Sequence, residues 1–197
     1  MSTLVLALLL AAADASPATW EVQPAASRVR IELRRSGLLK FLGHDHQIDA
    51  PLAAGRVFLV PDAPERSRVW LRWSVDALHV VPGTEPAEDI PKVEERMRGG
   101  DVLAAARHPQ ILFASDRVTG SRAGADWMLR IRGTLSVRGR PHAVEVPVRV
   151  RLDGDRLIAT GRLELSLTSL GVEPPSVAGV VNVADGFVVT FEAVAAR

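Results

Sequence analysis

The sequence contains no cysteine, which excludes disulfides, thiolate nucleophiles and cysteine metal ligands. It also lacks a surplus of either charge. With 24 basic and 23 acidic side chains the formal net charge is +1, so no basic excess exists to grip a phosphate backbone, and nucleic acid is not an expected partner. A Gly-x-Ser-x-Gly elbow, a phosphate loop and a dinucleotide fingerprint are all missing. Ser115, His108 and Asp116 supply the residue types of a triad, but no elbow presents the serine. Glu94 and Glu95 lie beside Lys92 and Arg96, and a solvated ion-pair face on a helix explains them better than acid–base work does. The chain is therefore expected not to be an enzyme, and no cofactor is implied. No internal repeat, low-complexity tract or interdomain linker is evident.

An apolar run long enough to span a bilayer as a helix is missing too. Leu4 to Leu10 continues into Ala11-Ala12-Ala13 and then Asp14, Ala15, Ser16 and Pro17. This fits the apolar core of a secretory signal, with Ala13-Asp14-Ala15 as the small-x-small cleavage site, although no Lys or Arg precedes it. The competing reading is a buried N-terminal helix. We expect residues 1–15 to be a signal peptide and 16–197 a single domain, periplasmic or secreted, with no stable membrane anchor.

What is abundant is period-two alternation, the pattern of a half-buried strand. Val29, Ile31 and Leu33 alternate with Arg28, Arg30, Glu32 and Arg34. Val69, Leu71, Trp73 and Val75 alternate with Trp70, Arg72 and Ser74. Trp127, Leu129, Ile131, Leu135 and Val137 oppose Arg130, Arg132, Thr134, Ser136 and Arg138. A turn at Gly139-Arg140-Pro141 leads into Val144, Val146, Val148 and Val150, and Asp153-Gly154-Asp155 marks a further hairpin. Leu157, Gly161, Leu163, Leu165 and Leu167 continue the pattern. The last strand is expected from about Gly186 to Val194, with Phe187, Val189 and Phe191 on one side.

Only the stretch from Glu88 to Ala106 departs from this rhythm. Ile90, Val93, Met97 and Leu103 recur at helical spacing, and Gly99-Gly100 interrupts them, so two short helices are expected, the second capped by Asp101. Many hairpin-linked strands with one helical excursion imply a barrel or a sandwich. The expected class is all-β: an antiparallel lipocalin-like barrel of about eight strands, closed so that no edge is exposed. Alternation alone leaves open whether the interior is a cavity or a packed core.

Several separated segments then carry a resemblance. Trp20-Glu21-Val22 with Ser27-Arg28-Val29, Gly43-His44-Asp45-His46, the stretch from Met97 to Phe113 closing in Ala114-Ser115, Gly133-Thr134-Leu135-Ser136-Val137-Arg138-Gly139, Leu170-Gly171-Val172 and Asn182-Val183-Ala184-Asp185-Gly186-Phe187 together resemble the YceI-like family of exported, lipocalin-like barrels associated with polyisoprenoid and other amphiphile binding. The resemblance covers roughly residues 20–194. Two segments depart from it: Pro91 to Met97 replaces the family's usual helix start, and the Gly43–His46 segment is richer in histidine.

The resemblance implies an isoprenoid-like or other amphiphilic lipid as partner, lying in the barrel and held mainly by apolar burial. Its expected lining is Leu71, Trp73, Phe113, Trp127, Leu129, Ile131, Val146, Leu163, Phe187, Val189 and Phe191. His44 and His46 are two apart, so on a strand they share a face. They could meet a polar ligand head or loop backbone, or hold zinc or copper with a further donor from His142, His108 or Glu173. The first use is preferred, and no metal site is assigned. A filled barrel binding a metal or, through the loops Val81 to Pro86 and Glu173 to Ser176, a protein partner is the alternative, and a homodimer is compatible with either.

Overall fold

Alternation of aliphatic and charged residues makes a ribbon that can bury only one of its faces, and here the buried faces turn toward one another. The computed structural model describes residues 17–36, 46–174, 176–177 and 181–197. The strands are β1 (Ala18–Val22), β2 (Arg28–Ser36), β3 (His46–Asp49), β4 (Leu52–Leu59), β5 (Arg68–Ser74), β6 (His79–Val80), β7 (Gln110–Ala123), β8 (Asp126–Val137), β9 (Arg140–Asp153), β10 (Arg156–Ser166), β11 (Ser176–Val177) and β12 (Val181–Ala196), with one α-helix, α1 (Ile90–Arg98), between β6 and β7.

Three pairs of these strands are halves of long, bent walls. A 3-10 turn at Pro24–Ala26 separates β1 from β2, Ala50-Pro51 separates β3 from β4, and a 3-10 turn at Val75–Ala77 separates β5 from β6. Pro51 has no N–H to give to a ladder, so a break there costs no backbone hydrogen bond. Cross-wall bonds continue at the bends, from Ala50 N–H to the Val29 carbonyl (2.9 Å) and from Val75 N–H to the Pro109 carbonyl (2.9 Å). Counted as walls, the strands form a closed antiparallel barrel of eight, each paired with its neighbour in sequence. Closure comes from β12, whose C-terminal end pairs with β1 (Glu21 opposite Ala196) while its body pairs with β2 (Val189 opposite Ile31). The last strand therefore begins at Val181, five residues before the expected Gly186.

Bulges keep the apolar faces inside where the sequence slips phase. Between Ser115 and Arg117 the register against β8 shifts by one residue, so Val118 is buried although Phe113, on the opposite parity, is buried too. Connections that join strand ends near Ala123–Asp126 and Asp153–Arg156 define the floor; those near Val137–Arg140, Val81–Pro109 and Leu167–Val177 define the mouth.

The helical excursion differs from expectation. Only α1 forms. After Gly99-Gly100 the chain makes successive turns, with Ala104 in the left-handed region at φ 51°. Its backbone folds back on the helix end, Ala104 N–H reaching the Gly99 carbonyl (2.7 Å) and Ala105 N–H the Arg98 carbonyl (3.0 Å). A second helix capped by Asp101 is not present, because these carbonyls are already taken by a reversal that helical φ values cannot make. The β8–β9 turn also sits one residue earlier than expected, at Arg138-Gly139, with Arg140 and Pro141 already in β9.

Candidate functional site

The eight walls turn their apolar rows into the barrel, and the rows enclose a cavity of about 300 Å³. Its lining is hydrocarbon from end to end; Ser67 is the single polar side chain among the described lining residues. The Ser67 hydroxyl is occupied, accepting the Val60 N–H at 2.9 Å. Cavities that receive small ligands span about 300–1,000 Å³, so the space lies at the small end of that range.

Inward glycines give the large side chains somewhere to lie. Gly161 stands opposite Phe191, and a β-carbon there would come within 2.4 Å of Phe191 Cζ and 2.6 Å of the Pro147 carbonyl oxygen. Gly133 likewise lies under the Phe113 ring, 2.8 Å from its Cζ to a built β-carbon. Each phenyl ring lies flat against a wall instead of projecting across the lumen.

Of the expected lining, Leu71, Trp73, Phe113, Leu129, Ile131, Val146, Leu163, Phe187, Val189 and Phe191 all border the cavity. Trp127 does not. It is buried at 3% exposure beneath the cavity, its indole N–H donating to the Pro61 carbonyl at 3.2 Å, and so belongs to the floor. His44 lies outside the described residues. His46 opens β3 with its backbone opposite Leu33, and its side chain lies outside the described residues as well, as does Pro175 of the second expected loop. Among the described residues no group of three histidine or acidic side chains is arranged to hold a metal.

The mouth residues were not legible from alternation. Met97 of α1, Val102 and Leu103 from the turns after it, and Leu170 and Val172 from the β10–β11 connection all border the cavity. Val137, Leu170 and Phe187 form a buried cluster of their own at this end. Arg138 ties these segments together: its guanidinium donates to the carbonyls of Asp101 (3.3 Å), Gly100 (3.1 Å) and Gly171 (3.1 Å). Glu94, read as a solvated charge, instead accepts the Val80 N–H (3.0 Å) and pairs with Arg98 (3.2 Å), fastening α1 to β6. Arg98 also donates to the Leu78 carbonyl at 2.9 Å. The triad types stay apart, since the Ser115 hydroxyl accepts the Val69 N–H (2.8 Å) and Asp116 pairs with Arg132 (2.9 Å).

Two carboxylates are held ionised. Hydrogen bonds from Arg151 and Arg149 at the floor keep Asp126 below the ordinary carboxylate range. At the mouth the backbone N–H and hydroxyl of Thr168, both at 2.8 Å, do the same for Asp185.

The family model of the YceI-like domain matches residues 20–195. Among solved structures, BcnA of Burkholderia cenocepacia superposes with a TM-score of 0.68 at 19% identity, over 88% of this chain and 98% of that one. The YceI protein of Campylobacter jejuni gives a TM-score of 0.55 at 11% identity, over 72% and 78%. No curated protein matches the sequence. The two structures support the closed barrel and nothing finer.

Proposed function

The chain belongs to the YceI-like family, and from that premise we propose that it is an exported, non-catalytic binding protein that carries a long apolar or amphiphilic molecule, polyisoprenoid- or fatty-acid-like, inside the barrel. The observation that carries this reading is the lining itself. A space bounded by hydrocarbon, with its one hydroxyl already bonded to backbone, offers a water molecule no partners. Buried water needs two to four of them, so the cavity favours an alkyl or prenyl chain over solvent. Burial supplies about 25 cal/mol per Å² of apolar surface, and no polar code is required along the chain. Export is supported by the signal-like first fifteen residues of the sequence and would be checked by the N-terminus of the secreted protein. The open volume favours this reading over the alternative of a filled barrel.

Uptake of cis-parinaric acid tests the proposal. One molecule per barrel, with emission rising on transfer to the apolar interior, is the expected result. Absence of binding, together with no apolar compound in an organic extract of protein purified from its host, would remove it.

A further inference from the structure

The apolar lining says what kind of tail fits but not what head it bears, and the mouth end of β9 speaks to that. His142 stands opposite Leu135, which borders the cavity, so the imidazole is on the inward face of its strand. Its Nε2 is buried without a hydrogen-bond partner among the described residues. A buried ring nitrogen left unpaired is unfavourable, and native proteins rarely keep one without a use. Arg140 lies two residues earlier on the same face, about 7 Å along the strand. It is exposed, and no carboxylate among the described residues pairs with it. The two side chains converge on Gly171: a β-carbon built there would lie 3.7 Å from Arg140 Nη1 and 4.0 Å from His142 Cε1. Gly171 itself is in the left-handed region at φ 68°, so the wall there is bare backbone. Asp185, at the same end of the barrel, is engaged by Thr168 and does not compensate the guanidinium.

We propose that His142 and Arg140 form a head-group site at the mouth, and that the preferred ligand is an amphiphile whose head is anionic, a carboxylate or a phosphate monoester. Arg140 faces such a head with its planar fork of donors. His142, with its proton on Nε2, donates to a second oxygen of the same head. The tail then descends past Val137 and Leu135 into the cavity. This rests on the carrier reading above, and deepens it.

Three twelve-carbon probes separate the two. Dodecanoate, dodecyl phosphate and dodecan-1-ol share a tail and differ only in the head, and native mass spectrometry or calorimetry ranks them. The expected result is a preference of about tenfold or more for an anion over the alcohol, the scale of one charge-assisted hydrogen bond. That preference should collapse in Arg140→Gln and in His142→Gln, the loss falling mainly on the two anions. Arg140 is exposed, so its variant keeps the fold even if the His142 variant does not. Which anion binds more tightly assigns carboxylate or phosphate. Equal binding of alcohol and anions by the native protein overturns the head-group site while leaving the carrier intact. An anion preference that survives both substitutions also overturns it. No binding of any of the three sinks the carrier reading and this inference with it.

Discussion

The two ends of the barrel are built on opposite terms. At the floor, hairpins turn over in two residues, Gly124-Ala125 and Gly154-Asp155, and large rings fill the space beneath the cavity. Trp20 is 1% exposed and Trp127 3%, and each ring carries a guanidinium over it, Arg197 at 4.5 Å and Arg122 at 5.0 Å. At the mouth two of the three connections are long, turns and α1 add apolar groups to those of the strands, and the fastenings are single side chains reaching backbone carbonyls. Side-chain burial dominates the first end and exposed hydrogen bonds the second. Since exposed bonds contribute little net stability and exchange with water readily, the floor is suited to hold the barrel closed and the mouth to admit a ligand.

The largest expected effect is therefore at the floor. Trp127→Ala should cost about 3–5 kcal/mol, the range for deleting a buried indole, read as a lowered urea midpoint. It also strands the Pro61 carbonyl. If the loss is under about 1 kcal/mol, the floor is not the clamp described here. Next comes Gly161→Val, in the middle of the wall. The new side chain meets Phe191 and the Pro147 carbonyl, and such overpacking costs about 1–3 kcal/mol. Because Phe191 must swing into the lumen, parinaric acid uptake should fall even where the barrel remains folded by circular dichroism. Unchanged uptake would mean that the phenyl ring has somewhere else to go.

This contrast also explains how much could be read in advance. Walls were legible because a strand buried on one face must alternate, and ten of the eleven expected lining residues do border the cavity. Trp127 fails for a reason alternation cannot express: it shares a face with Leu129 and Ile131, but sits at the strand end where that face meets the floor. Leu33 and Ile48 obeyed the same alternation and line the cavity too, so they were available to be named. Leu103, Leu170 and Val172 were not, because a residue in a turn has no periodic neighbour to reveal its direction, and Met97, though periodic within α1, carries no sign of which part of the barrel its helix covers. Arg138 looked like one more outward arginine of β8 until its left-handed φ of 52° turned it across the mouth.

Acid should probe both ends at once, through one carboxylate each. Asp126 is 6% exposed between Arg149 and Arg151, and Asp185 caps the 3-10 turn Thr168–Leu170. Both have folded-state pKa values below the ordinary 3.8. A carboxylate depressed in the folded state contributes stability above its unfolded pKa and loses it as pH falls through the folded value. Unfolding free energy should thus drop below about pH 4, and Asp126→Asn and Asp185→Asn should each flatten that drop. At neutral pH the Asp126 change is expected to matter less than either apolar substitution, since both arginines are about half exposed and can turn to water. Titration curves of urea midpoints for the two variants, one parallel to the native curve and one flattened, would show that only one end carries the acid sensitivity.

The smallest effect on stability, and the one that isolates the mouth, is Arg138→Ala. Three carbonyls lose a donor, but all three bonds are exposed, so water replaces the guanidinium and the loss should stay within about 1 kcal/mol. What changes is the tie between the turn carrying Leu103 and the connection carrying Leu170 and Val172. With that tie cut, these segments separate more often, and stopped-flow release of bound parinaric acid should quicken several-fold while the urea midpoint barely moves. Arg138→Lys keeps the charge but cannot span three acceptors at fixed geometry, and should release at a rate nearer that of Ala than that of native. A native release rate in both variants would place the barrier to exchange elsewhere on the rim; a large fall in midpoint would show that the mouth, too, helps to hold the barrel shut.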